Sequence, residues 1–265
     1  LGQGSLPAVQ NHPVSGSNAE QVYDTDGNIL QAIDDALLAR LLLPLLTRLA
    51  SAGTPLTITE LGAGTGRNTV KLLEHSSTTS IAHINALDLS PAMLSRAQER
   101  CETYLSANPR LTSPKLSFYE FNALDPEDFP EVRSVNGRAD VILSTLVLEH
   151  LPLSTFFSSA RSFLKSASLS AGYLVLTNMH AEMGRLGQAG FVDELTGRKI
   201  RGTSYVYEVD EVLAEGRRYG FVLEGDVVER AVAENDVGEG RLLGERGRKW
   251  IDVKVWFGMV MRLEG

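Results

Sequence analysis

Apolar residues recur along this chain in two rhythms. In Ala36–Ala50 (ALLARLLLPLLTRLA) they return at helical spacing around Arg40, Pro44 and Arg48, which predicts a packed amphipathic helix. A membrane span needs about 18 or more uninterrupted apolar residues, and no segment supplies them. From about Pro55 onward, short apolar runs alternate with helical patterns. Strands are predicted at 56–61 (LTITEL), 81–88 (IAHINALD), 116–121 (LSFYEF), within 139–148 (ADVILSTLVL), and at 172–179, 221–230 and 250–263. Helices are predicted over Asn68–His75, from Pro91 to Tyr104 with Ser90 as N-cap, over Ser154–Ser166, and over Asp210–Tyr219 with Gly220 as the stop. Strands that alternate with helices imply an α/β, Rossmann-like, mostly parallel sheet with helices on both faces. Only a polar, Gly-rich linker (231–249) separates the final two strands, so the last strand is expected to insert antiparallel.

Two stretches stand outside this alternation. The first twenty residues mix Gly, Ser, Pro and Asn without period and read as an arm. They lack the basic start and apolar core of a signal peptide, and the opening Leu1 reads as a trimmed or processed chain. Arm and helix together are expected to form a cap over 1–51, ahead of a main domain at 52–265. The second stretch follows the fifth strand. Within it, residues 190–202 carry a Thr196–Gly197 turn between extended segments, the pattern of a β-hairpin. Because α/β sheets place ligand loops after the carboxyl ends of strands, the insert at about 181–208 is expected to be a substrate lid.

Charge and cysteine content narrow the partners. With 25 Lys and Arg against 33 Asp and Glu, the formal net charge is −8, which argues against a nucleic-acid backbone or an anionic membrane. Cys101 stands alone, so an intramolecular disulfide and a cysteine-rich zinc site are excluded. A reducing, cytoplasmic setting is expected.

The chemistry concentrates in Glu60-Leu61-Gly62-Ala63-Gly64-Thr65-Gly66, after the first strand and before a helix. Glycines suit a sharp turn against which a ligand lies, and the helix start offers free N–H groups. The same pattern also suits a plain tight turn. Arg67 stands where a dinucleotide fingerprint has Gly or Ala, and no Gly-Lys-Ser/Thr follows, so neither that fingerprint nor a Walker loop is present. Glu60 would repel a pyrophosphate and attract an ammonium or sulfonium. Asp88 closes the second strand. Its carboxylate suits two ribose hydroxyls, or alternatively the start of the helix opened by Asp-Leu-Ser-Pro.

ELGAGTGRNT, LDLSPAML, FNALDPEDF, ADVILSTLVLEHLP and GYLVLTN, in that order, resemble the successive motifs of class I S-adenosylmethionine-dependent methyltransferases. They are closest to the small-molecule branch related to ubiquinone and menaquinone biosynthesis. The resemblance implies a seven-stranded sheet with its last strand antiparallel. It implies S-adenosyl-L-methionine as cofactor, with S-adenosyl-L-homocysteine as product. By the same resemblance, Glu60 would hold the methionine ammonium, while Gly62, Gly64 and Gly66 would admit the cofactor to the backbone. Asp88 would bind the ribose, Leu89 and Met93 would pack on the adenine, and Ala123 would offer its N–H to the ring. The family usually has Asp where this chain has Asn122, whose oxygen still accepts from the adenine amino group but without charge. Thr145 and Leu146, with Val147, would line the sulfonium side, and the arm around Tyr23 would close over the site.

Methyl transfer from a sulfonium is an in-line displacement that the protein mainly positions. A base is needed only where the acceptor loses a proton. His150 and His180 follow the fourth and fifth strands and are the candidate bases; the alternative for each is a hydrogen-bonded structural histidine. Glu149 beside His150 lacks the further ligands of a metal centre, so no metal is expected. Tyr205, Tyr207 and Arg201 are candidates for flanking the acceptor, the alternative being a solvated hairpin over a packed aromatic pair. The leading expectation is methylation of an O, N or C atom of a small organic acceptor. A protein or tRNA methyltransferase of the same fold, or a binder of the cofactor without transfer, are the alternatives. The sequence leaves the oligomeric state open.

Overall fold

The computed structural model describes residues 28–166, 171–187, 190–192, 199–201 and 204–264. Its central sheet contains β1 (Leu56–Leu61), β2 (Ile81–Asp88), β3 (Lys115–Glu120), β4 (Val141–Thr145), β5 (Tyr173–Met179), β8 (Phe221–Ala231) and β9 (Lys254–Leu263). The seven strands lie in the order β3-β2-β1-β4-β5-β9-β8. The first five pair in parallel, and β9 inserts antiparallel between β5 and β8, as the linker pattern predicted. A separate antiparallel pair, β6 (Gly190–Val192) with β7 (Lys199–Arg201), is the predicted hairpin; its turn lies outside the described residues. Chain order runs outward from β1 to β3, then returns to lay β4 on the other side of β1. That reversal opens a crevice at the carboxyl ends of β1 and β4.

Period-two alternation sends successive side chains to opposite faces. On one face, Val141, Leu143, Tyr173 and Val175 pack with Leu38, Leu42, Leu72 and Leu73, from helices α1 (Ile29–Ala50) and α2 (Arg67–Thr79). Helix α3 (Pro91–Ala107) completes that layer through Cys101. Ile142, Leu174 and Leu176 face the other way. They meet Phe156, Phe157 and Phe163 of α4 (Leu153–Phe163) and Val212 of α6 (Val209–Arg218).

Three boundaries depart from the pattern. Helix α1 begins seven residues before the apolar stretch at Ala36, because Asn28 caps it with its side chain on the Leu30 N–H (3.0 Å). The charges of Asp34 and Asp35 interrupt the apolar rhythm, yet Asp34 is fully buried. A short helix, α5 (Ala181–Leu186), opens the insert, with His180 as its N-cap. Trp250 sits in a 3-10 turn (Glu245–Trp250) instead of the last strand and is buried beside Val232 and Leu243.

Asp34 has three partners. Its Oδ2 accepts from Arg67 (2.9 Å), and its Oδ1 accepts from Thr177 Oγ1 (2.6 Å) and Trp256 Nε1 (3.1 Å). Arg67 also pairs with Asp35, as does Lys71. Burial opposes the Arg67 charge, but Asp34 and Asp35 outweigh it and hold the guanidinium pKa above its ordinary value. One carboxylate thus joins α1, the start of α2, β5 and β9. Asp34→Ala is expected to lower the unfolding free energy by about 2–5 kcal/mol, since it leaves the Thr177 and Trp256 donors buried without their acceptor and removes one of the two carboxylates on the half-buried Arg67. Asp34→Asn, which keeps an oxygen for Thr177 and Trp256, should lose less. Urea unfolding followed by tryptophan fluorescence measures both.

Candidate active site

The loop after β1 turns on three left-handed glycines, Gly62, Gly64 and Gly66, with φ of 81°, 55° and 78°. Its backbone is fastened to the end of β2. Gly62 and Ala63 donate to the Leu87 carbonyl (2.9 and 2.8 Å), and Gly64 donates to Asp88 Oδ2 (2.7 Å). A Cβ at Gly62 would stand 2.2 Å from Val147 Cγ2, and one at Gly66 would stand 2.8 Å from Ala97 Cα. Those two glycines are therefore needed for packing within the protein. At Gly64 a Cβ would meet nothing within 4 Å, so this is the glycine with open space beside it.

The two acidic residues flank this loop. Glu60 is 2% exposed and accepts from Thr69 Oγ1 at 2.6 Å. Burial pushes its carboxyl pKa up to about 7, although Thr69 and Arg67 pull it down. Asp88 holds the loop and the next helix together, since its Oδ1 accepts from the Ser90 N–H (2.9 Å) while its Oδ2 takes Gly64. Burial raises the Asp88 pKa, and the Ser90 and Gly64 amides oppose that rise.

Across the crevice, Thr145 Oγ1 accepts from Asn68 Nδ2 at 2.7 Å. Leu146 adopts φ 56° and donates its N–H to the Thr177 carbonyl (2.9 Å). A left-handed non-glycine residue stores about 1–3 kcal/mol of strain. Gly64, Thr145 and Leu146 line one small cavity of about 40 Å3 together with Arg67, Asn68 and Gln31 of α1. Asn68 Oδ1 is buried there without a hydrogen-bond partner. Sequence reasoning missed Asn68 and Gln31. Asn68 is the second residue of α2, after Arg67, and its place beside the loop was legible from the motif. Nothing local marks Gln31, which is brought in by packing.

The remaining candidates fall in several places. Leu89 is 53% exposed, and Met93 is half-buried in the first turn of α3. Asn122 turns its side chain to its own loop, with Oδ1 accepting from Leu124 N–H (3.0 Å) and Nδ2 donating to Asp125 (3.1 Å). Ala123 packs at the edge of the core and borders a larger cavity of about 580 Å3 between α4 and the 3-10 turns at 126–135. No other predicted site residue lines that cavity, so we place the chemistry at the smaller one, where loop and strand ends converge.

His150 exposes 59% of its side chain, and its Nε2 stands 4.0 Å from Glu149 Oε1. His180 is 5% exposed. Its Nδ1 accepts from the Glu182 N–H (3.1 Å), which leaves the Nε2 proton to Glu229 Oε1 (2.7 Å). As placed, neither ring nitrogen of His180 is free to take a proton. Tyr205 and Tyr207 stack with centroids 5.6 Å apart, and Tyr205 N–H donates to the Glu149 carbonyl (2.8 Å). Arg201 lies in β7, and its side chain is outside the description, as is Tyr23 with the whole arm. Cys101 is buried, with its thiol pushed up to about 12 by that burial, which excludes a nucleophile. Among the described residues no cluster of metal-ligating side chains occurs, and no helix is long and apolar enough to cross a membrane.

A family model described as a methyltransferase domain matches residues 59–168. An uncharacterized methyltransferase of Emericella nidulans is 43% identical over 255 residues, covering 90% of this chain and 86% of that protein. Two solved structures share the fold. One is the methyltransferase bound to the Trm112 activator of Haloferax volcanii, with TM-score 0.52 and 15% identity over 93% of this chain and 97% of that one. The other is an arsenic (III) S-adenosylmethionine methyltransferase of Chlamydomonas reinhardtii, with TM-score 0.50 and 14% identity over 79% of this chain. This chain spans 64% of that enzyme's length. With a glycine loop tied to an acidic strand end at the switch point of the sheet, and a 43% identical relative along most of its length, the chain belongs to the class I S-adenosylmethionine-dependent methyltransferases.

Proposed function

We propose that the protein transfers the methyl group of S-adenosylmethionine to a small organic acceptor held between the carboxyl ends of β4 and β5 and the insert. The observation that carries this reading is the Asp88 carboxylate. Gly64 and Ser90 fix both of its oxygens, and each oxygen keeps a further lone pair for a ribose hydroxyl. Asn68 Oδ1, buried without a donor, suits the methionine ammonium, with Glu60 behind Thr69 supplying the negative charge. The residues present therefore fit the cofactor. Its sulfonium, when bound, supplies a methyl carbon already activated for displacement. The chain's task is to orient the two reactants and exclude water. Leu146, held in its strained conformation, would present its backbone to the reacting centre. The cavity of about 40 Å3 beside Gly64, Thr145 and Leu146 would take only part of the cofactor, and Asp88 and the exposed Leu89, proposed for the ribose and adenine, lie outside its lining. The small-acceptor reading is supported by the net charge of −8 and by the insert, whose outgoing segment is fastened beside the site through Tyr205.

Two outcomes follow for the cofactor. Asp88→Ala should weaken S-adenosylhomocysteine about tenfold to a hundredfold in calorimetry; unchanged affinity would overturn the ribose role. Glu60 connects binding and stability through pH. Folding raises its pKa from 4.5 to about 7, so the folded chain binds this proton more tightly than the unfolded one. The contribution to stability therefore declines as pH rises from about 4.5 to 7, and above that it is a full penalty of about 3 kcal/mol. Glu60→Gln is expected to unfold at higher temperature than the parent at pH 8 without cofactor, and to lose that advantage at pH 4.5. In the parent, affinity for S-adenosylhomocysteine should fall toward tenfold per unit as pH drops below 7. The Gln variant should bind more weakly, without that slope.

A further inference from the structure

Two buried oxygens in the acceptor region have no donor. Glu149 is 8% exposed and Asn178 is 2% exposed, and Glu149 Oε2 and Asn178 Oδ1 both lack hydrogen-bond partners. They lie just beyond the paired ends of β4 and β5, where Thr145 stands opposite Thr177. Leu146, three residues before Glu149, lines the cofactor cleft. Asn178 Nδ2 reaches the Met179 carbonyl at 3.4 Å, and the Asn178 side chain also hydrogen-bonds Glu149. Native proteins rarely leave two such acceptors dry, because an unmade hydrogen bond in the interior is costly.

The geometry points to Glu149 and Asn178 as the residues that receive the acceptor: Glu149 takes the proton from a hydroxyl or amine as it is methylated, and Asn178 accepts from a second donor on the same molecule. This rests on the methyl-transfer reading above and narrows it to acceptors that carry O–H or N–H groups. The histidines suit the task less well. His180 has both ring nitrogens engaged, by Glu182 and Glu229, and His150 is largely exposed. His150 Nε2 lies 4.0 Å from Glu149 Oε1, beyond hydrogen-bond reach, so its charge can act on Glu149 only through space. Burial raises the Glu149 pKa, while His150, the Met179 backbone and the Asn178 side chain oppose that rise, so Glu149 and Asn178 interact as a pair at the site. In the step itself, the acceptor's lone pair forms the bond to the methyl carbon as the carbon–sulfur bond breaks. That bond's electron pair stays on sulfur, and the acceptor's proton passes to a Glu149 oxygen. The segment leaving the insert is hydrogen-bonded to the Glu149 carbonyl through Tyr205 N–H, which places Tyr205 beside the pair.

The test uses the full chain saturated with S-adenosylhomocysteine, whose own affinity is measured first in every variant. The probe is 2-aminophenol, which has two adjacent donors, set against 1,2-dimethoxybenzene, which has none. Saturable millimolar binding of 2-aminophenol is expected, weakened at least about tenfold by Asn178→Ala and by Glu149→Gln, with S-adenosylhomocysteine affinity changed less than twofold. With methyl-labelled S-adenosylmethionine, Glu149→Gln should lower kcat about a hundredfold or more. Glu149→Asp should recover part of that loss, and the rise of kcat with pH should vanish in the Gln variant only. The proposal is overturned if 2-aminophenol does not bind, if the dimethoxy compound binds equally well, if the parent does not methylate the bound probe, or if Glu149→Gln turns over normally. Loss of S-adenosylhomocysteine binding in the parent is a separate failure, that of the methyltransferase reading itself.

Discussion

Asp34 is a fully buried carboxylate that the fold cannot leave unpaired, and satisfying it sets the geometry around the active site. Removing an ion from water costs several kcal/mol even after relaxation. Here that cost is offset by Arg67, Thr177 and Trp256, each from a different element. Because Arg67 is the residue directly after the glycine loop, the same carboxylate that seats α1 on the sheet through Thr177 and Trp256 also holds the start of α2. The loop therefore has one end anchored through Arg67 and the other stitched to β2 through the Leu87 carbonyl and the Asp88 carboxylate.

This arrangement gives separate reasons for features that look alike in the sequence. Three glycines share one motif, but Gly62 and Gly66 yield to Val147 and Ala97, while Gly64 alone faces open space. Glu60 and Asp88 both lie at the carboxyl ends of neighbouring strands, Glu60 one residue before the end of β1, yet they differ physically. Glu60 is sealed behind Thr69 with a pKa near neutrality, and Asp88 is partly accessible with amides on both oxygens. The first is suited to respond to a cation, and the second to hold a neutral polyol. The strand ends beyond β4 and β5 repeat the contrast. His180 is satisfied on both sides as a helix cap, whereas Glu149 and Asn178 beside it are not.

Much of the fold was legible because it rests on local rhythm. Strands buried on both faces read as short apolar runs, and a polar, Gly-rich linker without a helical pattern announced the antiparallel β9. The Thr196–Gly197 turn signalled the hairpin in the same way. The start of α1 was not legible, because a charged pair in an apolar pattern looks like solvent-facing surface until its partner is known. Trp250 was misplaced for a related reason: its apolarity suits a strand or a buried turn equally, and the 3-10 turn is set by its packing beside Val232 and Leu243.

The sequence by itself determined the strands, their alternation with helices, the antiparallel last strand, and the loop and acidic residues that mark the family. These depend on periodicity, turn chemistry and residue type, all of which are local along the chain. Only the tertiary structure decided which polar groups are satisfied. Whether Asp34, His180, Asn68, Glu149 or Asn178 has a partner depends on side chains brought together across the sheet, from as far as Trp256 opposite Asp34. An unsatisfied buried atom is a property of an environment, and residue identity alone does not reveal it.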